Sequence, residues 1–153
     1  MTERLTYRPA NEADLAFIIG LIVEDGVVAT NDDAADALHD DYRKAFAAIA
    51  ADPNEEMIIA EFEGEPAGCF QLSYLPGLAR RGMWRGQIEN VHIVAGRRNL
   101  GLGGEMIRWA VERCRERGCG MIQLTSNKKR LDAHRFYERL GFTRSHEGFK
   151  LYL

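Results

Sequence analysis

"GRRNLGLGG", residues 96–104, is the stretch whose reading decides the fold. It holds two adjacent arginines and four of the fifteen glycines, and it joins segments of different character. Upstream, "MWRGQIENVHIV" (83–94) reads as a long strand. Downstream, Met106, Ile107, Ala110, Val111 and Cys114 recur at helical spacing, and Gly118 closes that helix. A helix N-terminus presents unpaired N–H groups and the positive end of the helix dipole. Glycines there let a ligand reach the backbone without meeting a Cβ.

Three phosphate-binding patterns compete for this loop. A Walker A loop requires a Lys-Ser or Lys-Thr after the glycines, and none follows. A dinucleotide fingerprint fits Gly101 and Gly103, but Met106 stands where the third glycine belongs, and the loop follows the fourth expected strand rather than the first. The third pattern is Arg-x-x-Gly-x-Gly, met by Arg98, Gly101 and Gly103. It combines backbone donors with charge-assisted contacts to phosphate oxygens.

The flanks fill out an α/β layout. "LTYRP" (5–9) reads as a strand stopped at Pro9. Asn11 and Asp14 offer caps for a helix with Leu15, Ile18, Ile19 and Ile22 on one face. "TNDDAAD" (30–36) can open a second helix, striped by Leu38, Tyr42, Ala45, Phe46 and Ile49 and ended by "DPN" (52–54). "MIIAEFEGEPAGCFQLSYL" (57–75) reads as a hairpin turning at Glu63–Gly64, with "PGLARRG" (76–82) as a loop. "MIQLT" (121–125) is a further strand. Asp132 caps a short helix, "AHRFYERL" (133–140), which Gly141 ends, and "FKLYL" (149–153) is a final strand. The order β-α-α-β-β-β-α-β-α-β puts helices on a sheet.

At 153 residues the chain reads as one domain, 1–153. Apolar residues make up 46%, enough for one core, and the net charge of −3 gives no field for nucleic acid. No apolar run approaches the ~20 residues of a membrane span. "MTERLTYRPA" shows no signal-peptide core, and Cys69, Cys114 and Cys119 have no paired spacing. A cytoplasmic protein with reduced thiols is expected. The histidines and cysteines show no metal-ligand spacing, so no metal is expected.

The segment "IENVHIVAGRRNLGLGGEMIRWAVERC" (88–114) resembles the acetyl-CoA-binding segment of the GNAT superfamily of N-acetyltransferases. "DAHRFYERLGF" (132–142) resembles the second signature of that superfamily. The likeness covers residues 57–153 well and 5–50 loosely. "LTSNKKRLDAHRFYERLGFTRSHEGFKL" (124–151) is similar to a bacterial subgroup that includes aminoalkylphosphonate N-acetyltransferases. The resemblance implies a single α/β domain with a central mixed, mostly antiparallel sheet, a splay between two central strands, and about four flanking helices.

It also implies a ligand. The loop would hold the pyrophosphate of acetyl-CoA on the N–H groups of Arg98, Asn99, Leu100, Gly101, Leu102, Gly103 and Gly104, with Arg97 and Arg98 near the outer phosphates. Val91, His92 and Ile93 occupy the strand whose backbone would pair with the pantetheine amides. Asn127 matches a position that often bonds the same arm, and His134 lies in the first turn of the second-signature helix, three residues before Tyr137.

Acetyl transfer to an amine sets three chemical demands. An alkylamine with a pKa near ~10.4 is less than about 0.1% neutral at pH 7, so a base is useful. Glu89 is the candidate, on the strand leading to the loop; the alternative is an outward residue paired with Arg85. The oxyanion needs a donor, which a backbone N–H at or beside Val91 could supply. The departing thiolate needs a proton, and Tyr137 matches the family's general acid; the alternative is packing beside Phe136. None of the cysteines has the context of an acyl carrier, so direct attack in a ternary complex is preferred to ping-pong.

The acceptor is expected to lie between "VEDGVVATNDDAAD" (23–36) and "LPGLARRGMWRG" (75–86). Glu24, Asp25, Asp32 and Asp33 would suit a cationic amine; Arg80, Arg81 and Arg85 would suit a phosphonate or carboxylate. A small-molecule primary amine is the first choice. A protein lysine or N-terminus, or a non-catalytic acetyl-CoA-binding regulatory module, is the alternative. Many family members pair, and "FKLYL" could be an open edge strand, so a homodimer is possible.

Overall fold

Alternation of apolar and polar residues sets the strands of the computed structural model, which describes residues 3–25 and 30–153. The strands are β1 (Leu5–Pro9), β2 (Glu55–Phe62), β3 (Glu65–Leu75), β4 (Arg85–Ile93) and β5 (Met121–Gln123). They form one sheet in the order β1-β2-β3-β4-β5. The first three pairings are antiparallel, and β4–β5 is parallel. Glu63 and Gly64 turn the β2–β3 hairpin at φ 53° and 82°, as a two-residue turn requires.

Helices cover both faces. α1 (Leu15–Asp25) and α2 (Asp40–Ala51) lie on one, where Ile18, Leu21, Phe46 and Ile49 meet Met57, Ile59 and Cys69. α3 (Ala79–Gly82) is one turn in the segment after β3. α4 (Leu102–Glu116) and α5 (Leu131–Arg139) cover the other face, where Leu102, Met106, Ile107 and Phe136 meet Ile58, Phe70, Leu72 and Ile88. The result is the mixed, mostly antiparallel sheet that was expected.

Four local expectations are corrected. "FKLYL" is not a strand: residues 143–153 enter no helix or sheet. The second helix opens at Asp40 with His39 as its cap; residues 34–36 form only a 3-10 turn, because Asp33 caps that turn first. Asp132 is not the cap of α5; it stands inside the first turn, paired with Arg135, and Arg130 precedes the helix. "PGLARRG" contains the turn α3, with Arg80 and Arg81 in the left-handed region at φ 54° and 62°. Of the acidic segment 23–36, residues 26–29 lie outside the described residues.

Candidate active site

The expected splay falls between β4 and β5. These strands pair only from Arg85–Met121 to Gln87–Gln123 and then diverge. Beyond Gln87, the β5-facing backbone edge of β4 has no strand beside it, and the strand runs on to the glycine loop. Free N–H and C=O groups in a cleft are what an extended amide-containing chain needs as a partner.

A bulge re-aims the side chains along that edge. Cys69 pairs with His92 while Gln71 pairs with Glu89, so β4 carries one residue more than β3 there. Asn90 sits at φ 52°, and the Cys69 thiol donates to its carbonyl over 3.6 Å. Ile88, Val91 and Ile93 consequently all pack on the core under α4. His92 faces the other way, toward α1, with its Nδ1 3.5 Å from Asp25 Oδ2. The apolar positions of the strand change phase at Asn90, from Ile88 to Val91 and Ile93.

At the far end of β4 the chain makes a 3-10 turn, Ala95–Arg97, and enters α4. Gly101 stands before the helix at φ 80°, a conformation that glycine adopts without strain. The first helical hydrogen bond joins Glu105 N–H to Gly101 O at 3.3 Å, so the N–H groups of Leu102, Gly103 and Gly104 precede it. Leu102 is buried and pins the helix start to the core. Gly103 has a different reason: a Cβ there would lie 3.3 Å from Phe136 Cζ. It lets α5 approach α4 closely. Asn99, at φ 63°, and the half-exposed Leu100 form the rim.

The arginines divide. Arg98 donates from Nε to the Ile93 carbonyl at 3.3 Å and lies beside the β4 edge. Arg97 turns toward the hairpin, where it donates to Glu63 at 3.3 Å and covers the Phe62 ring at 4.8 Å. In this arrangement Arg97 is not aimed at the helix terminus.

Tyr137 is brought to the same region by α5. Its ring packs edge-on against Phe136 at 5.0 Å and Phe142 at 5.8 Å. Burial raises its phenol above the ordinary value; Arg130 opposes this and Asp25 adds to it. The hydroxyl therefore stays protonated at neutral pH, the form a proton donor must have. Asn127 and His134 brace the entry to α5: His134 Nε2 meets the Asn127 carbonyl at 2.8 Å, which requires Nε2 to donate, while Asn127 Oδ1 accepts from Lys129 N–H at 2.9 Å.

Two features were not legible in the sequence. One is the ion pair of Asp25 and Arg130, whose guanidinium donates to both carboxylate oxygens at 2.6 and 2.9 Å. Burial raises the Asp25 carboxyl, but the Arg130 hydrogen bonds and charge outweigh it and leave the group below its ordinary range. His92 is held below its usual value by burial, with Asp25 opposing and Arg130 and Arg98 reinforcing the shift. The other is a polar strip across the α1-facing side of the sheet. Glu55 accepts from Gln71 at 3.2 Å and from Ser73 at 2.9 Å; Gln123 donates to Gln87 at 2.9 Å, and Gln87 donates to Glu89. Glu89 is exposed at the end of this strip, where its carboxylate accepts from Gln87. Polar residues at alternate positions of β3 (Gln71, Ser73) and β4 (Gln87, Glu89) were the available signal.

Among the described residues, no three His, Cys, Asp or Glu side chains group as metal ligands. No helix is long and apolar enough to cross a membrane among those residues.

Comparison with known proteins agrees with this geometry. The profile of the Acetyltransferase (GNAT) family matches residues 8–142. The aminoalkylphosphonate N-acetyltransferase of Salmonella typhimurium is 34% identical over 108 residues, 71% of this chain and 70% of that one. The glucosamine 6-phosphate N-acetyltransferase of Trypanosoma brucei brucei is 38% identical over 84 residues, 55% of this chain and 54% of that one. Among solved structures, a transcriptional regulator from Bacillus halodurans C-125 superposes with a TM-score of 0.92 at 40% identity, covering 97% of this chain and 99% of that one.

Proposed function

The chain belongs to the acetyltransferase (GNAT) family, an acetyl-CoA-dependent acyltransferase, and from that premise we propose that it acetylates the primary amine of a small molecule that also carries a phosphonate or phosphate. The observation that carries the reading is the β4–β5 splay running into the N-terminus of α4, with Tyr137 close by. Pantetheine would lie along Val91, His92 and Ile93, and the diphosphate would sit on the N–H groups of Leu102, Gly103 and Gly104. Arg98 supplies charge beside them.

The reaction is direct attack in a ternary complex. Burial pushes the Cys69 and Cys114 thiols up to about 12, which makes either a poor acyl carrier. The amine would enter along the polar strip, where Glu89 takes its proton directly or through water. A backbone N–H beside Val91 would meet the oxyanion. Tyr137 would protonate the sulfur as the C–S bond breaks.

Both curated relatives have names that join an amine to a phosphonate or phosphate. In this chain Arg80 and Arg81, in α3, and Arg85, which opens β4, would suit such an anion. A regulatory reading without turnover draws on the name of the Bacillus halodurans protein. Release of free CoA thiol, measured with an aminoalkylphosphonate, glucosamine 6-phosphate, a plain alkylamine and a lysine peptide, tests these readings. Fastest turnover is expected with the phosphonate or phosphate amines. Turnover with the peptide alone would make the protein a peptide acetyltransferase, and acetyl-CoA binding without turnover would favour the regulatory reading.

A further inference from the structure

Glu89 and His92 are three positions apart on β4, a spacing that puts side chains on opposite faces of a regular strand. Here they share a face. Glu89 pairs with Gln71 and His92 with Cys69, and the extra residue between them is taken up at Asn90, whose φ of 52° is left-handed. Gln71 and Cys69 stand two apart on β3, so both lie on one face, the α1-facing one, where Cys69 packs with Ile18 and Leu21. The bulge therefore places an imidazole on the same side of the sheet as the Glu89 carboxylate. It stands one residue beyond Val91, on the stretch of β4 that β5 does not cover.

The surroundings of His92 orient its ring. Its side chain is 13% exposed, and Nδ1 stands 3.5 Å from Asp25 Oδ2. Arg130 fixes that carboxylate through two hydrogen bonds. With Nδ1–H toward the carboxylate, the accepting lone pair of a neutral ring is on Nε2, at the opposite edge. The charged groups around the ring are Asp25 and Glu24 from α1, Arg130 before α5, and Arg98 from the glycine loop. Cys69, its partner on β3, stays neutral because burial raises the thiol. Burial lowers the imidazole below its ordinary value; Asp25 and Glu24 oppose this, and Arg130 and Arg98 reinforce it. The ring is therefore neutral at pH 7, the form that accepts a proton. A base held by a carboxylate, itself held by a third group, is a recurrent arrangement for proton transfer.

Acetylation of an ammonium takes two protons off one nitrogen. Glu89 accounts for the first, whose removal frees the lone pair. Attack then joins the nitrogen to the thioester carbon and leaves it positively charged, with a second proton to lose. We propose that His92 Nε2 takes this second proton from the attacking nitrogen, with Asp25 orienting the ring and facing the charge it gains. The N–H electron pair returns to nitrogen as the C–S bond breaks, and Tyr137 protonates the departing sulfur. The imidazolium proton passes through water to the Tyr137 oxygen, which restores both groups. One proton, the one taken by Glu89, goes to solvent for each amide formed. This role rests on the acetyl-transfer function proposed for the splay.

The experiment is steady-state kinetics across about pH 5–8, the range in which histidine titrates. It uses saturating acetyl-CoA with glucosamine 6-phosphate and with an aminoalkylphosphonate, on the wild type, His92→Gln and Arg130→Gln, with melting temperatures of the same proteins. Glutamine keeps a hydrogen-bonding side chain toward Asp25 but takes up no proton. The wild-type kcat is expected to rise through a pKa below the ordinary histidine value and to level off by neutral pH. His92→Gln should remove that rise and lower the plateau by about 10²-fold, the low end for a positioned proton acceptor, with the KM for acetyl-CoA near wild type. Arg130→Gln should move the rise to higher pH, because a charge that depresses the imidazole is gone. Wild-type kcat in a folded His92→Gln, or a rise unmoved in Arg130→Gln, would overturn the role of His92 while turnover itself upheld the acetyltransferase function. If His92→Gln does not fold, the shift between wild type and Arg130→Gln decides alone. A wild type without turnover on either amine would remove the function proposed for the splay, and this role with it.

Discussion

Asp25, the last residue of α1, and Arg130, the residue before α5, hold each other through two hydrogen bonds of 2.6 and 2.9 Å although 105 positions separate them. The pair ties the C-terminal end of α1 to α5, the helix that carries Tyr137. It also sets the field around His92, whose Nδ1 is 3.5 Å from the same carboxylate.

Replacing Arg130 with Gln should leave a partly buried carboxylate with weaker partners, a loss of about 1–3 kcal/mol. In a chain of this size that corresponds to a melting temperature lower by roughly 2–4 °C per kcal/mol. The variant also removes a positive charge that depresses the His92 imidazole, while Asp25, which raises it, remains. The His92 pKa should therefore rise, as followed by NMR titration. An unmoved His92 would separate the pair from the strand.

Tyr137→Phe keeps the ring between Phe136 and Phe142 and removes only the hydroxyl. If that group protonates the departing sulfur, kcat and kcat/KM should fall together by roughly 10²–10⁴. Affinity for acetyl-CoA should stay near that of the wild type. A packing residue would instead lower the melting temperature slightly and leave turnover intact, so kinetics and melting on the same protein distinguish the two roles.

Gly103→Val and Arg98→Ala should separate structure from binding at the loop. Valine at 103 would push into Phe136, so stability and acetyl-CoA affinity should both fall. Arg98→Ala leaves the backbone donors in place and should weaken binding with little change in melting temperature. Calorimetry with acetyl-CoA reads both, and equal affinity of Gly103→Val and wild type would remove the loop from the binding site.

Acid stability should depend on Glu105. This buried carboxylate in the first turn of α4 accepts from the N–H groups of Arg4 at 2.5 Å and Leu5 at 2.9 Å, fastening β1 to the helix. Burial raises its pKa, and those backbone hydrogen bonds together with Arg4 outweigh it, so the net shift is downward. A carboxylate with a depressed folded pKa contributes stability that is present above its unfolded value, about 4.3, and lost as the pH falls through the folded value. Glu105→Gln should cost about 1.5–3 kcal/mol near pH 7 and flatten the fall in stability below about pH 4. Urea midpoints across that range check both signs.

Much of this molecule is determined locally. The Glu63–Gly64 turn, the capping residue Asn11, the stripe of α4 and the glycine at position 101 each follow from a few neighbouring residues, because side-chain period and φ preference are short-range properties. The loop-to-helix junction was therefore visible in nine residues. The tertiary structure alone decided what surrounds it. One left-handed residue, Asn90, shifts the alternation of β4 and sends His92 toward α1, and the change of apolar phase from Ile88 to Val91 and Ile93 is its only trace in the sequence. Asp25 finds Arg130 only because α1 and α5 converge at the splay, and Gly103 proved to serve the Phe136 contact as well as the loop. "FKLYL" has the alternation of a strand, but a strand exists only where an edge receives it, and within a single chain this one stands in water.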